Sequence, residues 1–257
     1  MRRREIQMER PYIWKVKVSS FDTDMNAALS PQNMVKYLME TAIEHTEDAG
    51  YPVERLLEMR RGWVVLNWVI KVKKYPEFRD RLEISTWAKY GSTLQATRYF
   101  RVECSGEEIA SAASRWAFLD LDKRHPVRFT QEMEDAYCCD LPAPFDPGRY
   151  VLPAEKEEFL AGEKTITVRR SDTDTNGHTN NTKYVEWAVD EVPDNIYSGY
   201  MPAEIRVLYR KECRAGDRVD VKTYIRYTSE DEAEIITIIA DINGAVLCKT
   251  AVLWHRK

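Results

Sequence analysis

The sequence predicts an α+β fold that is built twice, with one long helix laid against an antiparallel sheet in each half. The chain has 257 residues, which is enough for two domains of ordinary size. Each half starts with a β-alternating stretch, continues with a helical repeat and ends with several β-rich stretches. A loop of the form Asp-x-Asp-x-Asn separates strand from helix in both halves, at residues 22–26 and 172–176. The repeated order and the repeated loop indicate a duplicated fold.

The first half predicts one strand, one helix and four further strands. Residues 13–18 alternate apolar side chains with lysines, which is typical of a half-buried strand. From Gln32 onward apolar side chains recur at helical spacing, and we expect the helix to stop at Gly50-Tyr51-Pro52. The following stretches are rich in Thr, Val, Trp and Phe, with glycine and serine at the turns between them. The predicted strands are residues 62–72, 81–88, 94–104 and 109–120.

The middle of the chain differs in composition from both halves. Four prolines lie close together between residues 142 and 153. Proline donates no hydrogen bond to a sheet ladder and disfavours helix, so this stretch predicts a surface crossing. We therefore predict an N-terminal domain at residues 1–140, a linker at residues 141–160 and a C-terminal domain at residues 161–257.

The second half repeats the order of the first. Residues 164–170 predict a strand, and apolar residues from Tyr184 to Val192 recur at helical spacing until Pro193 stops the helix. Asn243-Gly244 between two apolar runs is typical of a hairpin turn. The predicted strands are residues 204–213, 218–227, 233–240 and 245–254. If the two sheets join edge to edge, two exposed sheet edges are hidden.

Charge and composition argue against several classes of function. A net charge of −4 at pH 7 indicates no general affinity for nucleic acid. No window approaches the roughly 18 apolar residues of a membrane span, and the basic start of the chain lacks the apolar stretch of a signal peptide. The five cysteines are odd in number and have no framework spacing, which favours a reducing, cytoplasmic setting without disulfides. We expect the arginines at residues 2–4 to be solvated.

Three polar residues of different chemistry, Asp174, Asn176 and His178, stand at alternate positions where the strand of the second half gives way to helix. Such a junction can offer side chains and helix N–H groups to one small target, and the N–H groups of residues 177–179 could serve an oxyanion. Helix capping explains Asp and Asn residues there, but it does not readily explain a histidine. The first half has Ala28 where the second half has His178. The sequence therefore predicts one active site, in the second half.

The same loop also begins like a calcium-binding EF-hand, because Asp172, Asp174, Asn176 and Gly177 occupy the first positions of that motif. An EF-hand needs glutamate at its twelfth position to grip the ion with both carboxylate oxygens. The twelfth residue here is Lys183. We therefore expect neither a metal nor a cofactor.

Glu212 and Cys213 form the second candidate group. They are predicted to end a strand just before a turn, and neighbouring strand residues face opposite ways, so only one of them can point at a given site. Glu212 could act as general base beside His178 and Asn176. Cys213 could instead be the nucleophile of a Cys-His-Asn set. The residues alone do not decide between these two interpretations.

At these residues the chain resembles the acyl-acyl-carrier-protein thioesterases of plants and bacteria. The most specific match is Ser171-Asp-x-Asp-x-Asn-x-His-x-Asn-Asn-x-Lys-Tyr184, and the second is Tyr209-Arg-Lys-Glu-Cys213. The resemblance covers nearly the whole chain. Its landmarks in the first half are Gly62-Trp-Val-Val, Tyr75-Pro, Thr86-Trp87 and Ala113-Ser-Arg-Trp116.

The resemblance implies two tandem hotdog domains, each a long helix wrapped by an antiparallel sheet. It places the catalytic residues at Asp174, Asn176, His178 and Glu212, with Cys213 as an alternative nucleophile. It implies a hydrolase of fatty acid biosynthesis that releases free fatty acid from acyl carrier protein. In the mechanism we favour, Glu212 activates a water while Asn176 and His178 polarise the carbonyl, and Asp174 holds the base or the histidine in place.

The implied partners are acyl carrier protein and the fatty acyl thioester itself, with no nucleic acid and no insertion into a membrane. The duplication suggests that the acyl chain lies in the first half, beside its helix near Met34, Tyr37 and Leu38. Acyl carrier proteins are acidic, so a basic rim is expected around the site. Its candidate residues are Lys71, Lys73, Lys74 and Arg214. An acyl-CoA thioesterase of the same fold and a non-catalytic acyl-thioester-binding protein are the alternatives, and assembly into a homo-oligomer is left open.

Overall fold

The computed structural model describes residues 10–92, 94–148, 150 and 152–257, so the arginine-rich start of the chain lies outside the described residues. The strands are β1 (Tyr12–Lys17), β2 (Arg61–Val72), β3 (Arg81–Ser92), β4 (Gln95–Cys104), β5 (Glu107–Asp120), β6 (His125–Pro126), β7 (Leu160–Thr167), β8 (Tyr200–Tyr209), β9 (Arg218–Ser229), β10 (Glu232–Asp241) and β11 (Val246–Arg256). The helices are α1 (Pro31–Asp48), α2 (Val53–Glu58), α3 (Gln131–Tyr137), α4 (Asn181–Asp190) and α5 (Asp194–Gly199). None of these helices is long and apolar enough to cross a membrane.

The strands form one sheet that runs through both halves. Its order is β1-β3-β4-β5-β2-β8-β11-β10-β9-β7, with β6 attached to β5, and neighbouring strands pair antiparallel. The halves meet where β2 pairs with β8, from Asn67 opposite Leu208 to Lys71 opposite Glu204. The expected edge-to-edge joining is therefore confirmed. Because each half hides one edge in this way, β1 and β7 are the outer strands of the sheet that the described residues form.

The long helices α1 and α4 lie against the sheet and contact each other. Helix α1 begins with Pro31, whose missing N–H costs nothing in the first turn. Helix α4 is capped by Asn180, whose side-chain oxygen accepts the N–H of Thr182 at 3.0 Å. Apolar residues at helical spacing, such as Met34 and Leu38, are fully buried. The helix stripe thus faces the sheet, as the periodicity predicts.

One apolar core joins the two halves. It includes Trp68 and Phe100 of the first half and Ile205 and Trp254 of the second, all with 1% exposure or less. Burial of so much apolar surface is the main stabilising term of a fold of this kind. The predicted fold class, α+β with two tandem hotdog domains, is confirmed.

The sequence patterns do not predict three short helices that the structure contains. Helices α2, α3 and α5 have six or seven residues each. A segment shorter than two helical turns shows too few repeats of an apolar stripe to be distinguished from a loop, and its stability comes from packing. Between α3 and β7 the described residues form no named helix or strand apart from a 3-10 turn at Glu157–Phe159. The domain boundaries at residues 140 and 161 stay a prediction.

The predicted strand over residues 204–213 is wrong at both ends, because β8 spans Tyr200–Tyr209. The ladder ends where the N–H groups of Arg210 and Lys211 both donate to the same carbonyl, that of Leu247, at 2.8 and 3.1 Å. Two residues then oppose one, as in a β-bulge, and the chain leaves the sheet. Residues 210–214 are consequently a loop, and Glu212 and Cys213 lie in that loop.

Candidate active site

The loop before α4 is built around the carboxylate of Asp174. Its Oδ1 accepts the backbone N–H groups of Asn176 at 2.8 Å and His178 at 3.2 Å. The N–H of Asp174 donates to the carbonyl of His178 at 2.8 Å, and Gly177 closes the turn with φ of +74°. A carboxylate that accepts several backbone N–H groups holds a loop firmly. Asp174 therefore fixes where the backbone of His178 stands.

The imidazole of His178 lies between a carboxylate and a guanidinium. Its Nε2 is 3.3 Å from Glu212 Oε2 and 3.2 Å from Arg214 Nη2. The histidine side chain is 22% exposed and the glutamate side chain is 60% exposed, so water can reach the pair. The structure thus brings together two of the residues that the sequence singles out, from two loops that are far apart in the chain.

Asn176 lies on the surface of the same loop. Its backbone N–H binds Asp174, and its side-chain amide makes no hydrogen bond to any other described residue. The structure therefore leaves the amide open to solvent instead of placing it against His178. An unpaired amide beside a site can still donate to a bound substrate.

Cys213 points the opposite way from Glu212. It is 4% exposed, and its Sγ lies 3.1 Å from Thr179 Oγ1 and 3.2 Å from Tyr184 OH. Burial, and then the bond to Cys213, raise the pKa of Tyr184. The opposite orientation expected of these neighbours is present, although they lie in a loop and not in a strand. Cys213 is enclosed by the core, as a small apolar residue would be.

The backbone N–H groups expected to serve an oxyanion are already used. Those of Gly177 and His178 bind Asp174, and that of Thr179 donates to the carbonyl of Cys213 at 2.8 Å. The expectation of free N–H groups at residues 177–179 is therefore wrong. These three N–H groups are therefore not free to meet negative charge on a substrate oxygen.

The remaining histidines lie in other environments. His45 is buried, with Nδ1 2.7 Å from Arg98 Nη1. Burial and then the charge of Arg98 lower the pKa of His45 to about 2, so its ring stays neutral and accepts from the guanidinium. His125 and His255 are exposed. Among these residues, His178 is the one placed on the loop of the repeated motif.

The acidic residues of the loop do not form a calcium site. Asp172 Oδ2 accepts the N–H of Arg169 at 2.7 Å, and its other oxygen lies 3.7 Å from Lys183 Nζ. Asp174 is turned toward backbone N–H groups. Within the part of the chain that the structure describes, no group of three or more His, Cys, Asp or Glu residues could hold a metal ion.

A groove of about 540 Å³ lies between α4 and β7, and it reaches Asp172 but not Asp174, Asn176 or His178. Lys164 lines this groove and is equivalent to Trp14 of the first half, since each stands eight residues before the first aspartate of its loop. Trp14 packs edge-on against Tyr37. The rim is acidic, with Glu186, Asp190 and Glu191. The groove is lined by neither His178 nor Glu212, and we assign it no part in the chemistry.

The first half carries the same loop backbone without the histidine. Asp24 Oδ1 accepts the N–H of Asn26 at 2.8 Å, and the N–H of Asp24 donates to the carbonyl of Ala28 at 2.8 Å. Ala27 adopts φ of +59°, a conformation that favours glycine. Asp24 Oδ2 accepts the hydroxyl of Tyr197, from α5 of the second half, at 2.9 Å. In the first half, the equivalent loop therefore contacts the second half through Asp24.

We expect Tyr197→Phe to lower the free energy of unfolding by about 1 to 2 kcal/mol, because it removes a hydrogen bond to a charged acceptor. Turnover should stay close to that of the unchanged protein, since the contact lies at the copy without an imidazole. Urea unfolding measures the first quantity. Tyr227→Phe is the matched control, because Tyr227 is 55% exposed. If both substitutions have the same effect, the contact adds nothing to stability.

The site also contains residues that the sequence did not single out for chemistry. Arg214 is expected only as part of a basic rim, yet its guanidinium contacts the imidazole of His178. Thr179 and Tyr184 enclose the sulfur of Cys213. A charged residue at a turn is usually solvated, so no local signal distinguishes Arg214.

The fold and the site define a class. The protein is a double-hotdog protein with unequal halves, whose second half has an imidazole beside a carboxylate where the first half has Ala28. Its residues 9–137 match the acyl-ACP thioesterase N-terminal domain, and its residues 155–256 match the acyl-ACP thioesterase C-terminal domain. The chain belongs to the acyl-ACP thioesterase family, which consists of thioester hydrolases.

Two plant proteins illustrate the similarity in sequence. The chloroplastic oleoyl-acyl carrier protein thioesterase 2 of Arabidopsis thaliana is 29% identical, over 93% of this chain and 69% of its own length. The chloroplastic palmitoyl-acyl carrier protein thioesterase of Cuphea hookeriana is 26% identical, over 76% of this chain and 50% of its own length. Against the second protein, the chain thus spans about half the relative's length.

Solved structures show the same fold. An acyl-ACP thioesterase from Bacteroides thetaiotaomicron has a TM-score of 0.82 and 25% identity, covering 95% of this chain and 97% of that one. The 12:0-ACP thioesterase from Umbellularia californica has a TM-score of 0.84 and 20% identity, covering 96% of this chain and 95% of that one. The second likeness concerns the fold alone.

Proposed function

We propose that this protein hydrolyses the thioester between a fatty acid and acyl carrier protein and releases the free acid. The observation that supports the proposal most directly is the 3.3 Å contact between Glu212 Oε2 and His178 Nε2, in a chain of this family. A carboxylate beside an imidazole at a water-accessible position can move a proton to or from a reacting water.

The proposed reaction begins when Glu212 accepts a proton from a water whose oxygen attacks the carbonyl carbon. His178 and Asn176 donate hydrogen bonds to the carbonyl oxygen as negative charge develops on it. The carbon–sulfur bond then breaks, and the proton held by Glu212 passes to the departing thiolate. Water and thioester thus become acid and thiol. Asp174 makes no bond to the substrate and acts by holding the loop.

We propose that the acyl chain lies in the first half, near Met34, Tyr37 and Leu38. These three side chains are buried in the continuous core, so the acyl chain must displace them when it enters. The packing of α1 against α4 supports this location, because α4 directly follows the loop of His178. The domain division at residues 1–140, 141–160 and 161–257, and the cytoplasmic setting, belong to the same proposal. All five cysteines are free, as a reducing setting requires.

The carrier can be tested by comparing the same acyl group on two thiols. We expect kcat/KM on acyl-acyl carrier protein to exceed that on acyl-CoA by about tenfold or more, a difference of about 1.4 kcal/mol in transition-state binding. Two of the candidate rim lysines already pair with acidic residues of the chain, Lys71 with Glu204 and Lys73 with Glu108. Lys74→Ala therefore serves as the probe of carrier contact.

A higher kcat/KM on acyl-CoA would instead indicate an acyl-CoA thioesterase of the same fold. Tight binding of either thioester without release of acid would indicate a non-catalytic binding protein. Release of free thiol, followed with a thiol-reactive dye over a panel of acyl lengths, distinguishes the three outcomes.

A further inference from the structure

The backbone of Arg214 has a fixed position at the site. The loop of residues 210–214 ends in a turn that is closed by Arg214 itself, whose N–H donates to Asp217 Oδ2 at 2.8 Å. The N–H of Asp217 returns to the carbonyl of Arg214 at 3.0 Å, and Gly216 adopts φ of +94°. The same loop carries Glu212. One loop therefore carries both side chains that contact the imidazole of His178.

The three side chains of this cluster have no counterparts at the equivalent positions of the first half. The first half has the same backbone bonds: Lys73 and Lys74 both donate to the carbonyl of Ile109, and the N–H of Glu77 donates to Asp80 Oδ2 at 2.8 Å. Superposing these bonds on those of residues 210–217 places Tyr75 opposite Glu212 and Glu77 opposite Arg214.

Ala28 is likewise opposite His178. All three side chains of the cluster are thus replaced together in the half that has no imidazole at its loop. The turn keeps its geometry in both halves, so it does not depend on an arginine at this position. The guanidinium consequently belongs with the chemistry of the second half and not with the turn.

The contact with Arg214 determines which nitrogen of His178 carries a proton. A guanidinium has only donors, so a hydrogen bond from Arg214 Nη2 across 3.2 Å requires Nε2 to accept. Glu212 lies 3.3 Å from the same nitrogen at ion-pair distance, whereas the Arg214 contact has hydrogen-bond geometry. The proton of the neutral ring is then on Nδ1, which has no hydrogen-bond partner among the described residues.

We propose that Arg214 is a positioning residue that holds His178 as the Nδ1–H tautomer. The ring then presents Nδ1–H as its donor to the thioester carbonyl, and Glu212 keeps both oxygens available for the proton of the attacking water. The catalytic part of this inference rests on the proposed function. The tautomer itself is a property of the resting protein and can be measured without a substrate.

The test uses the full chain with Arg214→Ala, Arg214→Lys and the control Lys211→Ala. Lys211 is an exposed cation of the same loop that does not contact His178. We expect Arg214→Ala to lower kcat about 10- to 100-fold, the scale of a misplaced catalytic group, with KM changed less than about threefold. Arg214→Lys and added guanidinium ion should each restore part of kcat, and Lys211→Ala should leave kcat and KM within about twofold.

Nitrogen-15 NMR of histidine-labelled protein supplies the second readout. The chain has four histidines, so His178→Gln assigns the signal. We expect a protonated Nδ1 and an unprotonated Nε2 in the unchanged protein, and loss of that pattern in Arg214→Ala. An unchanged pattern in Arg214→Ala, or a raised KM with normal kcat, overturns the inference. Absence of hydrolysis by the unchanged protein overturns the proposed function instead, and the NMR result still decides the tautomer.

Discussion

Replacing Glu212 by glutamine is expected to reduce kcat by about two to four orders of magnitude. The substitution keeps the size of the side chain and most of its hydrogen bonding, but it removes the group that accepts the proton of the attacking water. Glu212 is exposed, so folding should be unaffected, and circular dichroism can confirm this. Single-turnover measurement of acid release separates the chemical step from release of product.

Cys213→Ala and Cys213→Ser are the matched controls for this result. Both should keep most of the turnover and lose only packing, because the sulfur contacts Thr179 and Tyr184 and is enclosed by the core. No acyl-enzyme should accumulate in the unchanged protein. The assignment would be reversed by an acyl group trapped on Cys213. A folded but inactive Cys213→Ala, alongside an active Glu212→Gln, would reverse it equally.

Asn176→Ala is expected to cut turnover by about a hundredfold or more, the scale of losing one donor to an oxyanion, whereas Asn26→Ala should leave it largely intact. The two asparagines form a matched pair, because each backbone N–H binds the aspartate two residues earlier at 2.8 Å. The backbone N–H groups of residues 177–179 are occupied, so the amide of Asn176 has no obvious substitute.

The comparison of the two asparagines tests whether the protein has one site or two. Both variants lose the same atoms from loops of the same geometry, so a structural effect should appear in both. Unfolding in urea should show that Asn26→Ala is at least as destabilising as Asn176→Ala, because Asn26 Nδ2 also donates to Asp24 Oδ2 at 3.5 Å. If turnover falls equally at positions 26 and 176, the assignment of chemistry to the second half cannot stand.

Much of the fold follows from local patterns in the sequence. Alternation at residues 13–18 and the helical stripe around Leu38 record which face of each element is buried, because apolar side chains repeat with the period of the structure. The boundary of β8 does not follow from such a pattern. The ladder ends where Arg210 and Lys211 share one carbonyl, and that pairing depends on a neighbouring strand. Helices α2, α3 and α5 are too short to show a period.

The candidate site, like the fold, is predicted in part by local sequence patterns and in part set by contacts between distant residues. The spacing of Asp174, Asn176 and His178 singles out the loop before any contact is known. The contact of His178 with Glu212 unites two loops whose positions depend on the packing of α4 against the sheet. The occupied N–H groups at residues 177–179 could not be foreseen, because one of them binds the carbonyl of a residue 34 positions away in the chain.

The sequence by itself determined the duplication, the order of the main elements and the half that carries the imidazole. Each of these features depends on a pattern of residues that lie close together along the chain. Tertiary structure alone decided that Glu212 faces His178 while Cys213 faces the core, that Arg214 reaches Nε2, and that the first loop binds Tyr197. These contacts join residues distant in sequence. Their geometry is set by how helices and strands pack into one core, where each side chain can occupy only the space its neighbours leave.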